Sequence, residues 1–123
     1  MTKGKKIAAA IAAAAIATIT SVTAFADYTM NYKYDLKAGE TVTEKEFPTR
    51  GTKLSFNTRP DGPGNVTVTV SGSALNNQPR SHDFPAQVDI SDWVLTVKED
   101  STFDFSVKAN LTSAAGTLYI KSY

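Results

Sequence analysis

Apolar and polar positions alternate along this chain from Tyr28 onward. In Tyr28-Thr29-Met30-Asn31-Tyr32-Lys33-Tyr34-Asp35-Leu36 every even-numbered position is apolar or aromatic and every odd-numbered one is polar. Successive side chains of a strand point to opposite faces. The stretch therefore predicts a half-buried strand with Met30, Tyr32, Tyr34 and Leu36 inward and the tyrosine hydroxyls reaching the rim of a core. Residues 41–47 alternate poorly and carry Glu44-Lys45-Glu46, the pattern of an edge strand whose charges discourage pairing with other chains. Alternation returns at residues 53–59, with Leu54 and Phe56 inward. Residues 66–70 are β-branched throughout, with the three valines on one face.

Residues 72–86 break the rhythm with Asn76-Asn77, Pro79 and Pro85, and read as a long connection with at most a short strand near Phe84. Three further stretches alternate: residues 87–90, residues 93–98 with Trp93, Leu95 and Val97 in phase as core, and residues 103–108 with Phe103, Phe105 and Val107 in phase. Residues 110–116 read as a small polar loop before a last strand over residues 117–123. Turn residues such as Pro60-Asp61-Gly62-Pro63-Gly64-Asn65 separate the runs. Seven to eight short strands at this spacing, with no helical period among them, predict an all-β, antiparallel two-sheet sandwich, either a jelly roll or an immunoglobulin-like arrangement. A flattened β-barrel is the alternative.

The first 26 residues follow another pattern. Lys3, Lys5 and Lys6 precede an Ala/Ile run, and Ala24 and Ala26 occupy the small-residue positions of an A-x-A cleavage site. Basic start, apolar middle and small-residue exit predict a helical secretory signal peptide over residues 1–26 and a single β domain over residues 27–123. Residues 7–26 carry no charge, but Thr18, Thr20, Ser21 and Thr23 dilute the last third, and alanine contributes little transfer energy as a membrane anchor. The alanine-rich leader suggests a bacterial source. The expected location is outside the cell, or the periplasm if the source has two membranes.

Composition changes this picture in two ways. There is no cysteine, so a domain bound for a disulfide-permissive compartment must rely on its core alone, and thiolate chemistry is excluded. The whole-chain net charge of +1 comes from the leader's lysines; residues 27–123 carry ten Lys/Arg against twelve Asp/Glu, a net charge of −2. No basic run follows residue 26, so a nucleic-acid partner lacks its electrostatic footprint.

Candidate chemistry is sparse. Ser81-His82-Asp83 spells a hydrolase triad, but consecutive residues of an extended segment diverge and cannot converge on a substrate. Asp89, Asp92 and Asp100 are weak calcium candidates, without the ligand spacing of a known loop. Tyr119 and Tyr123 share the face opposite Leu118 and Ile120, with Lys121 between them, and offer flat rings for stacking on a sugar or a protein. The 72–86 connection presents Asn76, Asn77, Arg80 and His82, all able to hydrogen-bond a ligand. These features point to a non-catalytic secreted domain that binds an extracellular glycan, an envelope polymer or a protein partner. No cofactor is expected, and no membrane association once the leader is cut. The alternatives are a self-assembling surface subunit, pairing through its first strand, and a small inhibitor of a secreted enzyme. The sequence leaves the oligomeric state open.

Overall fold

The computed structural model describes Thr18–Ile19, residues 27–86 and residues 92–123. Eight strands form the domain: β1 Tyr28–Leu36, β2 Thr41–Pro48, β3 Lys53–Pro60, β4 Val66–Ser71, β5 Arg80–Phe84, β6 Trp93–Thr96, β7 Thr102–Ala109 and β8 Ala114–Ser122. One sheet, here sheet I, has the order β1-β8-β3-β6, with a two-residue strand, Thr18–Ile19, added outside β1. The other, sheet II, has the order β2-β7-β4-β5, and all pairings are antiparallel. Apart from the β4–β5 hairpin, each strand passes to the opposite sheet, which is the connectivity of a jelly roll. The sandwich is therefore neither immunoglobulin-like nor a flattened barrel.

The alternation of β1 holds residue by residue. Tyr28, Met30, Tyr32, Tyr34 and Leu36 are buried, and the residues between them are exposed. Of the segment expected as a helical leader, only Thr18–Ile19 is described. It forms a two-residue strand against Asn31 and Met30 on the outer edge of β1. A β-branched pair favours that extended state over a helix. The expected cleavage residues Ala24 and Ala26 and the strand expected at residues 87–90 lie outside the described residues.

Strand β2 is an edge strand, as its charges foretold, and its irregular pattern has a geometric cause. Between the Glu44–Phe105 and Phe47–Phe103 pairs, Lys45 and Glu46 stand opposite Asp104 alone. This is a β-bulge, with Glu46 in the left-handed region at φ 67°. The Asp104 carboxylate accepts a hydrogen bond from the Glu46 backbone N–H at 2.9 Å. The extra residue shifts the phase of the strand, so that Val42 and Phe47 both face the core although they differ in parity.

Two expectations are corrected. Residues 72–86 are not one long loop: a 3-10 turn, Ser73–Leu75, is followed by β5, which pairs with β4 from Arg80–Val70 to Phe84–Val66. Its inward positions are Arg80, His82 and Phe84, so the period of two is carried by amphipathic side chains and leaves no apolar signal. Likewise β8 begins at Ala114, within the expected 110–116 loop. Its first inward residues are small: Tyr34 lies over Gly116, where an added Cβ would stand 2.7 Å from the tyrosine hydroxyl, and Ala114 packs against Gly64.

Aromatic rings fill the space between the sheets. Tyr32 meets Phe105 edge-on at 5.2 Å, and Phe47 lies against both Phe105 and Phe103. The chain of rings continues through Phe56 to Trp93, which stacks on His82 at 5.2 Å and 18°. Trp93, expected as core, is half-buried at the margin and closes the side of the sandwich between the edge strands β5 and β6.

Candidate functional site

With the interior packed by large side chains, a ligand must be met on the outside. The two outer sheet faces differ. On sheet II the polar side chains satisfy one another: the Thr67 hydroxyl donates to the Asp83 carboxylate at 2.6 Å, and Thr69 and Ser81 share a hydrogen bond of 2.8 Å. Sheet I carries one exposed aromatic ring among polar side chains.

That ring is Tyr119, 39% exposed and carried by the inner strand β8. Antiparallel register sets Asn31 of β1 directly opposite it on one side and Asn57 of β3 on the other. Two strand spacings of about 4.8 Å make this row roughly 10 Å wide. The next row is Thr29, Lys121 and Ser55. Together with Asp92, these side chains line a shallow depression of about 290 Å³.

Its polar groups are partly preset. Asn57 donates from Nδ2 to the Asp92 carboxylate at 3.0 Å, while its Oδ1 accepts from the Thr58 backbone N–H at 2.8 Å. Both ends of that amide are thereby fixed, and Asp92 is held at the rim. Asn31 and Tyr119 are both exposed on this face. Lys121 lies with Nζ 4.8 Å from the centre of the Tyr123 ring, which restrains the ammonium beside the depression. Tyr123 itself is pinned, its backbone exchanging hydrogen bonds with Lys53 at 2.8 and 3.0 Å. One carboxylate and one ammonium line the depression, so its local charge is balanced.

The remaining candidates separate. Asn76 and Arg80 come together in a second cleft with Gln78 and Lys98. Asn77 does not line it, and His82 turns instead onto Trp93 and Phe84. The three residues of Ser81-His82-Asp83 diverge, since Ser81 and Asp83 bond to threonines on the outer face while His82 faces the sheets' margin. Among the weak metal candidates, Asp92 is bonded to Asn57, Asp100 occupies a turn at φ 54°, and Asp89 lies outside the described residues. Among the described residues no group of three His, Asp or Glu side chains is close enough to hold a metal. Of the residues the sequence singled out for stacking, Tyr119 and Lys121 line this depression; Asn31 and Asn57 were not singled out, and Asp92 was named only as a weak calcium candidate. Their outward phase was visible; their convergence depends on which strands adjoin β8.

No protein-family model matches the chain, and no curated protein matches it. Solved structures of similar shape exist. Iron(II) HppE in complex with substrate gives a TM-score of 0.48 at 9% identity, covering 88% of this chain and 53% of its own, so that this chain spans about half of it. PirA gives 0.47 at 13%, covering 86% of this chain and 100% of its own. TmCBM61 in complex with β-1,4-galactotriose gives 0.42 at 13%, covering 85% and 80%. These are likenesses of architecture and assign no chemistry to this chain; the fold stands on its own strand order.

Proposed function

We propose that this chain is a non-catalytic, exported binding module that holds a neutral extracellular glycan on the outer face of sheet I. The observation that carries the reading is the row Asn31–Tyr119–Asn57, an exposed ring between two amides on three adjacent strands. A sugar presents an apolar C–H face and a rim of hydroxyls. The tyrosine ring offers a flat surface for the first, and the exposed Asn31 amide with the Asp92 carboxylate offers donors and acceptors for the second. The balanced charge of Asp92 and Lys121 favours a neutral polymer over an acidic one. Rigid neighbouring strands keep the ordering cost of binding low. Export is supported by the basic, apolar and small-residue sequence of residues 1–26. The diverging Ser81, His82 and Asp83 supply no nucleophile–base pair, which supports a module without catalysis.

Affinity electrophoresis of residues 27–123 through gels containing xylan, mannan, β-glucan or β-galactan tests the reading. Retardation by at least one polymer is expected. Tyr119→Ala then weakens it about tenfold or more, as truncation of a central aromatic anchor does, while stability stays within about 0.5 kcal/mol because the ring lies outside the core. Equal retardation of the variant and the parent would remove the site from sheet I.

A further inference from the structure

A second cleft opens between the edge strands β5 and β6, on the side of the sandwich rather than on a sheet face. It has a volume of about 400 Å³ and is lined by Asn76, Gln78, Arg80 and Lys98, with Ala74, Leu75 and Val97 buried at its floor. No carboxylate lines it. Arg80 and Lys98 both extend into solvent, and neither is paired with an acid among the described residues. The domain beyond residue 26 carries a net charge of −2, yet this cleft is lined by two cations and no acid.

The cleft is built, not merely exposed. The turn that carries Asn76 and Gln78 is closed by four backbone hydrogen bonds, from Leu75 and Asn77 to Gly72, from Asn76 to Ser73 and from Gln78 to Leu75. Asn76 and Asn77 both take left-handed conformations, at φ 55° and 59°, which asparagine accepts more readily than most residues. The turn is fastened to the other wall by the Lys98 N–H, which donates to the Ala74 carbonyl at 2.9 Å. At the far end the His82–Trp93 stack closes the side of the sandwich. A planar guanidinium, a point ammonium and two amides thus line one cleft with an apolar floor on a backbone fixed by hydrogen bonds.

We infer that this cleft is an oxyanion site that binds the carboxylate or phosphate groups of an acidic polysaccharide, separate from the neutral-glycan face on sheet I. Arg80 takes the oxyanion through paired N–H donors and Lys98 adds charge. Asn76 and Gln78 reach the neighbouring hydroxyls, and the floor of Leu75 and Val97 meets the sugar's apolar side. The two sources of the anion, a uronic acid and a phosphodiester, are distinguished by the probe.

Binding of the full chain to oligogalacturonate and to a glycerol-phosphate polymer would be measured by calorimetry at low and at physiological salt, with a neutral polymer that leaves the protein unretarded as the control. Saturable binding to at least one acidic probe is expected, weakening as salt rises. Arg80→Gln weakens it about tenfold, by loss of a charged hydrogen-bond partner, and Lys98→Gln weakens it in the same direction. Binding to galacturonate alone identifies a uronate, and to the phosphate polymer alone a phosphodiester; either supports the site. Tyr119→Ala retains this binding, which separates its fate from that of the sheet I face. Absence of binding to both acidic probes, or binding unchanged in Lys98→Gln, would overturn the inference, and the lysine variant serves alone should Arg80→Gln fail to fold.

Discussion

Replacing Gly116 by alanine is expected to cost about 3 kcal/mol, the upper end of what overpacking a core costs. For a domain of this size that lowers the melting temperature on the order of 15 °C. The glycine lies on the inward face of β8 between Tyr34 on one neighbouring strand and Pro60 on the other. An added Cβ would meet the Arg59 carbonyl oxygen at 2.5 Å, the Tyr34 hydroxyl at 2.7 Å and the Pro60 Cα at 2.9 Å. Two of these are backbone atoms of β3, which cannot turn aside as a side chain would. The strain falls on the β3–β8 pairing that also brings Asn57 beside Tyr119, so glycan retention should decline with stability. Gly62 is the control, since an added Cβ there meets nothing within 4 Å. Gly62→Ala should leave the melt unchanged or raise it slightly. Thermal melts of the two variants check both outcomes; equal melts for Gly116→Ala and the parent would show that Tyr34 does not pack as described.

Alkaline pH is expected to unfold the domain cooperatively, because three of its five tyrosines hold their protons inside the core. Burial pushes the Tyr28 and Tyr34 hydroxyls up to about 12. Arg50 pulls Tyr28 the other way; for Tyr34, the Asp61 charge adds to the rise and Thr58 opposes it. Tyr32 is pushed further in the same direction, first by burial and then by the Glu44 carboxylate, to which its hydroxyl donates at 3.3 Å. Below the ordinary tyrosine value near 10, folded and unfolded chains bind the same protons and stability does not depend on these groups. Above it the unfolded chain releases protons that the folded chain keeps. The contribution of the neutral tyrosines is then lost as pH rises toward 12, by up to roughly 1.4 kcal/mol per tyrosine per pH unit. With three such groups and a typical total stability of about 5–15 kcal/mol, unfolding precedes full ionisation. Circular dichroism and tyrosinate absorbance followed together should show the three inner tyrosines ionising with loss of structure. Ionisation of all five tyrosines with the β signal intact would contradict their burial.

What the sequence disclosed depended on how each residue meets its neighbours. Strand β1 was legible because its inward residues are large and apolar and its outward ones polar. Strand β2 read poorly for a reason that is now visible, since the bulge at Lys45 and Glu46 changes phase within the strand. Strand β5 was hidden because Arg80 and His82 occupy inward positions at an open margin, where their polar ends still reach water. The start of β8 was hidden because its inward residues are small: Gly116 yields its space to Tyr34, and Ala114 packs against Gly64. The same contrast applies to the site. Tyr119 and Lys121 are two residues apart and share a strand face, so their common exposure followed from the period alone. Asn31, Asn57 and Asp92 join them only through the order β1-β8-β3-β6, and no local pattern encodes which strands become neighbours.

The most direct measurement is a map of backbone amide shifts in isotopically labelled residues 27–123 as a soluble oligosaccharide is added, drawn from whichever neutral polymer retards the protein. The expected result is that the largest changes fall on Asn31, Asn57, Asp92, Tyr119 and Lys121, with the outer face of sheet II silent. Changes centred on sheet II, or no saturable change with fragments of any of the four polymers, would contradict a glycan site on sheet I.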